Sequence, residues 1–548
     1  MVLNTRWSAL DAEASTWMAH WRDLCDFVLP RTARFLNSDR NVGYKKNTKI
    51  LNETATFSLE ETARGMMSKI TNPARPWFKL KMTNEGLNLR PDVAIWLDSV
   101  TQRMLQVFIR SNLYTTLAVI YEDLLLYGTG CFVIEKDEDT VIRTEVLPIG
   151  SYRLGISGKN RVDTCYRELD MTRHQLVDKF GLENVSETIR VACLNQTGME
   201  MTVTVRHCVE PNPDYRPGSI DNREMRFRSI WYEVGAPDGQ FLRQSGFNTM
   251  AVVAPRWRTT TGDVYGTAPA MNCLGSIKEL QTLERRSMQL LDKVITPALN
   301  VPIELRRREI NQMSGGLNFV ANPATAKIEP VHTIQSAPIQ HVEAKIQRLE
   351  ERIRKGLYND VFMAMNGIDT ARTAEEIRAR LDQKIQSIGP ILLKLNDEML
   401  DCVVERTFEI MQDPFFKGLL PPAPQAIQGS ALTVEYISEL AQAMKLAGLV
   451  GIERVVGFAG NLSAMGLGQS LDALDVDEIM DTYADMAGSP AKILNAQKTR
   501  NTIRNQRIAA QQQQAQEQQM QQRAEMMKNL GQTPTVGNNA LTDMSGVL

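Results

Sequence analysis

Two long amphipathic helices separated by an insert rich in proline and glycine constrain this chain more than any other feature. The first lies in DVYGTAPAMNCLGSIKELQTLERRSMQLLDKVITPAL, Asp263 to Leu299. A Tyr-Gly pair leads into Pro269, the apolar spacing predicts a helix over Met271–Val294, and Pro297 and Pro302 close it, because proline cannot continue a helix. The second, His341–Phe362, carries Val342, Ile346, Leu349, Ile353, Leu357 and Val361 on one face, the period of a helix that buries one stripe. Its other face is charged, with Glu350–Arg354 and Glu351–Lys355 at the spacing that favours ion pairs. Between the helices, Gly315-Gly316, Pro323, Pro330 and Pro338 predict a mixed segment without long elements.

Upstream, helices give way to strands. Leu59, Ala63, Met66, Met67 and Ile70 recur at helical spacing within Glu53–Ile70, and Asn72-Pro73 ends that helix. Phe78, Leu80 and Met82 alternate with lysines, as in a half-buried strand. A helix follows Pro91, and another carries Tyr114, Leu117, Tyr121, Leu124 and Leu125 and stops at Gly128. From Cys131 to about Trp257 the pattern is β: Cys131–Lys136, Val141–Leu147, a hairpin turned at Gly158-Lys159-Asn160, Met201–Val209, Met225–Val234 and Thr249–Trp257. A short helix, capped by Thr172 and stopped by Gly181, interrupts the strands. Pro237-Asp238-Gly239 reads as a turn.

Downstream of the paired helices, Asn366-Gly367-Ile368-Asp369 breaks the chain. Thr373 and Glu376 form a capping box, and Ile377, Leu381, Ile385 and Ile388 begin a stripe that runs to about Met411. Pro390 is expected to kink that helix. Pro421-Pro422-Ala423-Pro424 reads as a linker, Thr433–Ala487 as a small helical region, Ala491–Leu530 as a run containing the Gln-rich Gln511–Gln522, and Gly531–Leu548 as a disordered tail. The fold class is therefore α+β, mainly helical. A chain of 548 residues needs several domains.

The same residues narrow the chemistry. A net charge of −2 excludes a strongly basic nucleic-acid binder, though not a local basic patch. Seven cysteines, with no CxxC, read as reduced thiols. Arg6, Asp11 and Glu13 leave no signal-peptide core near the start, and no apolar run is long enough to span a membrane. Five scattered histidines form no HExxH and no zinc-finger spacing, so neither a metal nor a cofactor is expected. Gly158-Lys159-Asn160 is the nearest approach to a phosphate-binding loop, but it lacks the hydroxyl and the earlier glycine. No GxSxG is present, and the acidic pairs Asp475/Asp477 and Glu375/Glu376 sit at helix starts, where they suit the dipole. No catalytic residue is assigned. Arg306, Arg307 and Arg308 form a basic cluster, read as a solvated or subunit-contact patch with phosphate contact as the alternative. Trp7, Trp17 and Trp21 read as core residues, with a partner site as the alternative. Ile493, Ile503, Ile508 and Met520 are too sparse to bury a helix alone, which favours self-packing or a frayed state.

The order of these features resembles the portal (head-to-tail connector) family of T7-like short-tailed phages. The motifs are an early Trp- and Cys-containing helix, ARGMMSKITNPARPWFKL at Ala63–Leu80, YGTG at Tyr127, YGTAPA at Tyr265 and TAEEI at Thr373, spread over Arg6 to Met411. Thr267-Ala268 stand where the resemblance leads one to expect Arg-Gly. It implies a non-enzymatic ring of twelve copies around a channel for double-stranded DNA, located in the virion and, during assembly, in the host cytoplasm. The implied partners are terminase, tail adaptor, scaffolding and major capsid proteins. Carried onto this chain, the wing would be 1–262, the stem helices 263–296 and 341–362, and the clip, which meets partners, 297–340. The tunnel loop would be 363–372, a kinked helix between wing and crown 373–420, the crown 421–490, a helical barrel 491–530 and a tail 531–548. Asn366, Asp369 and Arg372 become the candidates beside DNA. Lys345, Arg348, Arg352 and Lys355 are the stem candidates, facing DNA or a neighbouring subunit, and Arg306–Arg308 are candidates for clip contacts. The alternatives are a tail or adaptor ring, a nucleotide-binding DNA motor, and a helical scaffold that oligomerises through its Gln-rich tail.

Overall fold

The computed structural model describes residues 2–35, 43–301, 303, 310–311, 328–331, 336–363, 388–438, 454–464, 474–486 and 497–531, apart from isolated positions at 89, 196–197, 220, 238, 302, 428, 430 and 463. The basic cluster Arg306–Arg308, the loop candidates Asn366, Asp369 and Arg372, the capping box at Thr373 and the segment after Gly531 lie outside the described residues. The chain divides into two compact units, Met1–Ala447 and Gly448–Leu548.

The first unit opens with helices α1 (Val2–Phe27) and α2 (Thr54–Ile70), strand β1 (Phe78–Met82), a one-turn helix α3 (Glu85–Asn88), and α4 (Pro91–Arg110) and α5 (Leu113–Tyr127). α5 is its centre: LYTTLAVIYEDLLLY is apolar almost all round and nearly every side chain in its second half is buried. A helix with that composition has to be surrounded, and α2, α4 and the strands behind it do so. Gly128 ends it in the left-handed region, φ 75°, with its N–H donating to the Leu124 carbonyl, the usual way a glycine stops a helix.

Strands β2 (Phe132–Asp137) and β3 (Val141–Val146) pair antiparallel, and a two-residue β9 (Val252–Val253) adds to β2. β4 (Tyr152–Ile156), β5 (Val162–Thr172), β6 (Thr202–Pro211), β7 (Phe227–Glu233) and β8 (Arg243–Phe247) form a five-stranded antiparallel meander in sequence order. Successive side chains face opposite ways, so the sheet carries two small cores. Val205 and Trp231 pack under α6 (Arg173–Phe180) and α7 (Glu187–Leu194). Tyr166, Cys208, Ile230 and Tyr232 pack under Trp7 and Leu10 of α1. Thr172 caps α6 in a complete capping box with Gln175. Trp7 and Trp21 are buried, in separate clusters, and Trp17 packs half-buried beside Trp21, the core reading of the three.

α8 (Pro269–Ile295) continues through β10 (Leu299–Asn300), which pairs antiparallel with β11 (Glu329–Pro330), and returns in α9 (Ser336–Gly356). Here the expected boundaries move. The second helix starts five residues earlier than His341, because Pro338 falls in its first turn, where a missing N–H costs nothing. It does not run unbroken to Phe362: Tyr358 adopts φ 61°, and a separate α10 (Asn359–Met363) follows. The helix beyond, α11 (388–395), passes through a π-helical turn at Asn396–Leu400 into α12 (Asp401–Met411). The irregularity therefore sits six residues past the expected kink at Pro390, which lies in α11. Thr249–Trp257 is mostly irregular around β9, and β8 has no forerunner in the sequence pattern, because Arg243–Phe247 lacks an apolar alternation.

Residues after Pro421–Pro424 stay with the first unit. Trp96 Nε1 donates to the Pro421 carbonyl at 3.0 Å, and β12 (Leu432–Tyr436) pairs with β1. The helical region expected from Thr433 thus begins with a strand. The second unit holds α13 (454–462), α14 (Val476–Met486) and α15 (Gln497–Gly531). The Asp475 side chain caps α14 by accepting from the N–H groups of Asp477 (3.0 Å) and Glu478 (3.2 Å). Arg504 of α15 donates twice to Asp477, both at 2.6 Å, which holds that carboxyl below its usual range.

His207, sealed in the five-stranded sheet, gives this fold a pH signature. Arg167 Nε donates to His207 Nδ1 at 3.0 Å, so the ring proton is on Nε2, 2.8 Å from Ser229 Oγ. The ring stacks on Trp231 at 4.0 Å. Burial, then Arg167, Lys179 and Arg243, push its pKa well below 6.5. The unfolded chain takes a proton that the folded ring refuses, so stability falls as pH drops below about 6.5. Urea unfolding of the sheet should show a midpoint that decreases from pH 7 to pH 5. His207→Gln, less stable at pH 7, should have a flatter pH dependence.

Candidate functional site: the paired helices and the junction that aims them

The paired helices start from a contact between two glycines. In YGTG, Gly128 follows α5; in YGTAPA, Gly266 precedes α8. The two backbones lie against each other so closely that a Cβ on either would overlap the other's backbone atoms. Around the contact, the Gly266 N–H donates to Thr129 Oγ1 (2.8 Å), the Trp257 N–H to the Gly128 carbonyl (2.8 Å) and the Gly130 N–H to the Pro255 carbonyl (3.1 Å). Tyr265 is fully buried, edge-on to Trp21 at 5.0 Å, and its hydroxyl accepts from the Leu154 N–H at 3.1 Å. Thr267 does not reach outward: its N–H and hydroxyl both donate to the Arg258 carbonyl, at 2.7 and 3.2 Å.

A buried ion pair locks the same place. Arg256 is wholly buried and donates to Glu398 of the π turn at 2.6 Å, to the Asn160 carbonyl at 2.6 Å and to the Asp263 carbonyl at 3.1 Å. The Arg256 N–H also donates to Glu398 at 3.0 Å. One guanidinium thus joins the β4–β5 hairpin, the lead-in to α8 and the π turn, while Arg161 pairs with the adjacent Asp397. The signal for Arg256 in the sequence is one charge inside the apolar run AVVAPRW. Composition alone reads it as a solvent-facing end.

From this junction α8 departs with its first half in the core. Cys273, Leu274, Ile277 and Leu280 are buried, and Gln281 accepts from the N–H groups of Leu51 (2.6 Å) and Asn52 (2.9 Å). The Asn52 amide donates to Glu284 of α8 (2.8 Å) and Glu350 of α9 (2.9 Å), so one loop residue clamps both helices. Gly356 lets α9 approach so closely that a Cβ there would strike Cys273 Sγ. The distal half of α8 is uncovered: Met288 (52%), Leu291 (44%) and Ile295 (74%) form an exposed apolar stripe.

All four stem candidates come together on one exposed face of α9. Lys345, Arg348, Arg352 and Lys355 are spaced by three, four and three residues, and His341, four residues before Lys345, extends the ladder. His341 is not among the sequence-derived candidates, although its spacing fits. Glu279, His341, Lys345, Arg348, Leu349 and Arg352 line a groove between α8 and α9. Lys345 pairs with Glu279 at 2.6 Å. Arg348, Arg352 and Lys355 make no ion pair among the described residues. Glu350–Arg354 is marginal at 3.9 Å because Asn52 holds Glu350, and Glu351–Lys355 does not form among the described residues. All seven cysteines are free thiols. Among the described residues no group of three or more His, Cys, Asp or Glu could hold a metal, and no helix is long and apolar enough to cross a membrane.

Comparison with known proteins places this architecture. Residues 2–494 match the family described as bacteriophage head to tail connecting protein. The chain belongs to that family. It is 36% identical over 99% of its length to a probable portal protein of Bordetella phage BPP-1, covering 97% of that protein. It is 37% identical over 97% of its length to the portal protein of Salmonella phage epsilon15, covering 95% of it. Among solved structures, a chain in the neck of an empty GTA particle, computed with C6 symmetry, matches 85% of this chain and 98% of its own length, with 10% identity and a TM-score of 0.34. This connector family is a structural one, a component of the virion at the junction of head and tail.

Removing one partner of the buried pair leaves the other charged and unmatched. Arg256→Met should lower the unfolding free energy of the connector's first unit by about 3–5 kcal/mol, read from urea titration, and Arg256→Met with Glu398→Leu should recover most of it.

Proposed function

We propose that copies of this connector close into a ring at one capsid vertex, around a channel that DNA enters during packaging and leaves at ejection. Twelve copies is the number the family resemblance implies. In this reading α8 and α9 are the stem, and the segment between them, 297–340 with Arg306–Arg308, is the clip that meets terminase and then tail adaptor proteins. Scaffolding and major capsid proteins surround the ring during assembly in the host cytoplasm.

The observation that carries the reading is the stripe Met288, Leu291 and Ile295, exposed on the distal half of a helix whose first half is core. A single copy leaves these side chains in water. A neighbour in a closed cyclic ring would cover them through a head-to-tail contact. The basic ladder of α9 then faces the lumen. Three cations per copy, without an ion pair among the described residues, offer weak, sequence-independent phosphate contact, which suits DNA that must slide, and the net charge of −2 keeps the grip loose. The tunnel loop, 363–372 with Asn366, Asp369 and Arg372, would add contact at the channel's narrow point. α15, with Ile508 (52%) and Met520 (72%) exposed, would pack on its own copies as the barrel of 491–530.

Electron microscopy and solution mass of the purified chain test the ring. Rings with a central hole are expected for the wild type. Leu291→Asp with Ile295→Asp should shift the mass toward monomers while circular dichroism stays unchanged. Replacing Lys345, Arg348, Arg352 and Lys355 with glutamine should leave rings intact. It should weaken their binding to duplex DNA and flatten its salt dependence, the slope dropping by about 0.9 for each phosphate that is no longer neutralised. Rings that fail to form would make the ladder a subunit contact instead. Deleting 363–372 should leave ring assembly intact and reduce the yield of DNA-filled heads; a normal yield would remove the loop assignment.

A further inference from the structure

We infer that Gly65, Asn359 and Phe362 form a seat that fixes the point from which the channel segment leaves the body of each copy, as positioning residues for its contact with DNA. The role of the seat rests on the tunnel-loop reading of 363–372. Gly65 stands in the middle of α2, in the run ARGMMSK, where glycine weakens a helix relative to alanine. The fold uses the missing side chain. A Cβ at Gly65 would lie 2.7 Å from the Cβ of Phe362, so α10 approaches α2 more closely than a residue with a Cβ allows. Val361 and Phe362 are buried. Asn359 Nδ2 donates to the Glu61 carboxylate at 2.8 Å and to the Ser58 carbonyl at 3.4 Å. The short helix is thus held on α2 at its first and fourth residues.

The turn into α10 carries a cost as well. Tyr358 adopts φ 61°, a region where a bulky side chain is strained. Such a conformation persists only where the surroundings over-determine it. Here the Tyr358 ring packs beside Trp257 at 5.8 Å, and the Trp257 N–H is the one that donates to the Gly128 carbonyl at the junction. Five residues are too few for a helix to hold itself in water, so α10 takes the direction that α2 and Trp257 impose. Met363 is its last residue, and the next segment starts from there. In a closed ring every copy repeats the same displacement, so a shift of that point toward the axis narrows the channel from all sides at once. A rigid root keeps each copy's segment at one radius.

The test uses the full-length chain in assembling heads. Gly65→Ala pushes α10 off its seat, and Asn359→Ala removes two hydrogen bonds without adding volume. Gly275→Ala on α8, where an added Cβ meets nothing within 4 Å, is the control and should change nothing. Hydrogen exchange of the assembled ring, read by mass spectrometry, should be about tenfold faster at Asn359–Met363 in Gly65→Ala, the effect of overpacking one contact. Ring number and urea midpoint should stay as in the wild type while the yield of DNA-filled heads falls severalfold in both variants. A contact that only stabilises the fold would move the midpoint and leave filling alone. If Gly65→Ala forms no rings, Asn359→Ala decides. Unchanged exchange, or normal filling by stable variant rings while deletion of 363–372 still impairs filling, overturns the seat and leaves the loop standing. Normal filling after the deletion itself overturns the loop reading and the seat with it.

Discussion

The contact between Gly128 and Gly266 is the constraint on which the rest depends. Side chains at either position would hold the two backbones apart, and the start of α8 would move with them. The glycines set the approach, and the hydrogen bonds of Thr129, Trp257 and Gly130 fix the register. Arg256 then ties three stretches of chain distant in sequence to the same point. Its desolvation is compensated by convergent acceptors, so the pair serves registry more than net stability.

The α8–α9 pair is a helix hairpin with two regimes. Near the junction it is core: Leu274, Ile277 and Leu280 of α8 and Leu349 and Ile353 of α9 are buried, and Asn52 and Gln281 bind the pair to the body. Farther out the same two helices carry exposed apolar and basic stripes. Burial follows what packs on a helix and not the helix alone, so one amphipathic sequence carries a core stripe and, in later turns, an apolar stripe left exposed in the single chain. The π turn at Asn396–Leu400 follows the same logic of placement. It presents Asp397 to Arg161 and Glu398 to Arg256 while Met399, Leu400 and Val403 remain buried.

Much of this is legible in the residues. α2, β1, α4, α5, the β2–β3 and β4–β5 hairpins, the capped α6 and the paired helices all announce themselves by apolar period, capping residues and turn glycines, signals that act within a few residues. The departures share one origin. Arg243–Phe247 is a strand because β7 offers it a free edge, not because of its own alternation. The chain at Thr433 is a strand because β1, some three hundred and fifty residues earlier, is there to pair with it. Pro390 promises a kink, and the irregularity stands instead where two carboxylates meet two arginines.

The sequence by itself determined the α+β class, the family, the long helices and four of the five rungs of the basic ladder, because helical period converts spacing directly into a shared face. Tertiary structure alone decided that the two Tyr-Gly motifs meet back to back, that Arg256 is buried and that Asn52 clamps both α8 and α9. Each of those depends on a contact between segments far apart along the chain. No local pattern encodes such a contact, because the energy that fixes it appears only when both surfaces are present.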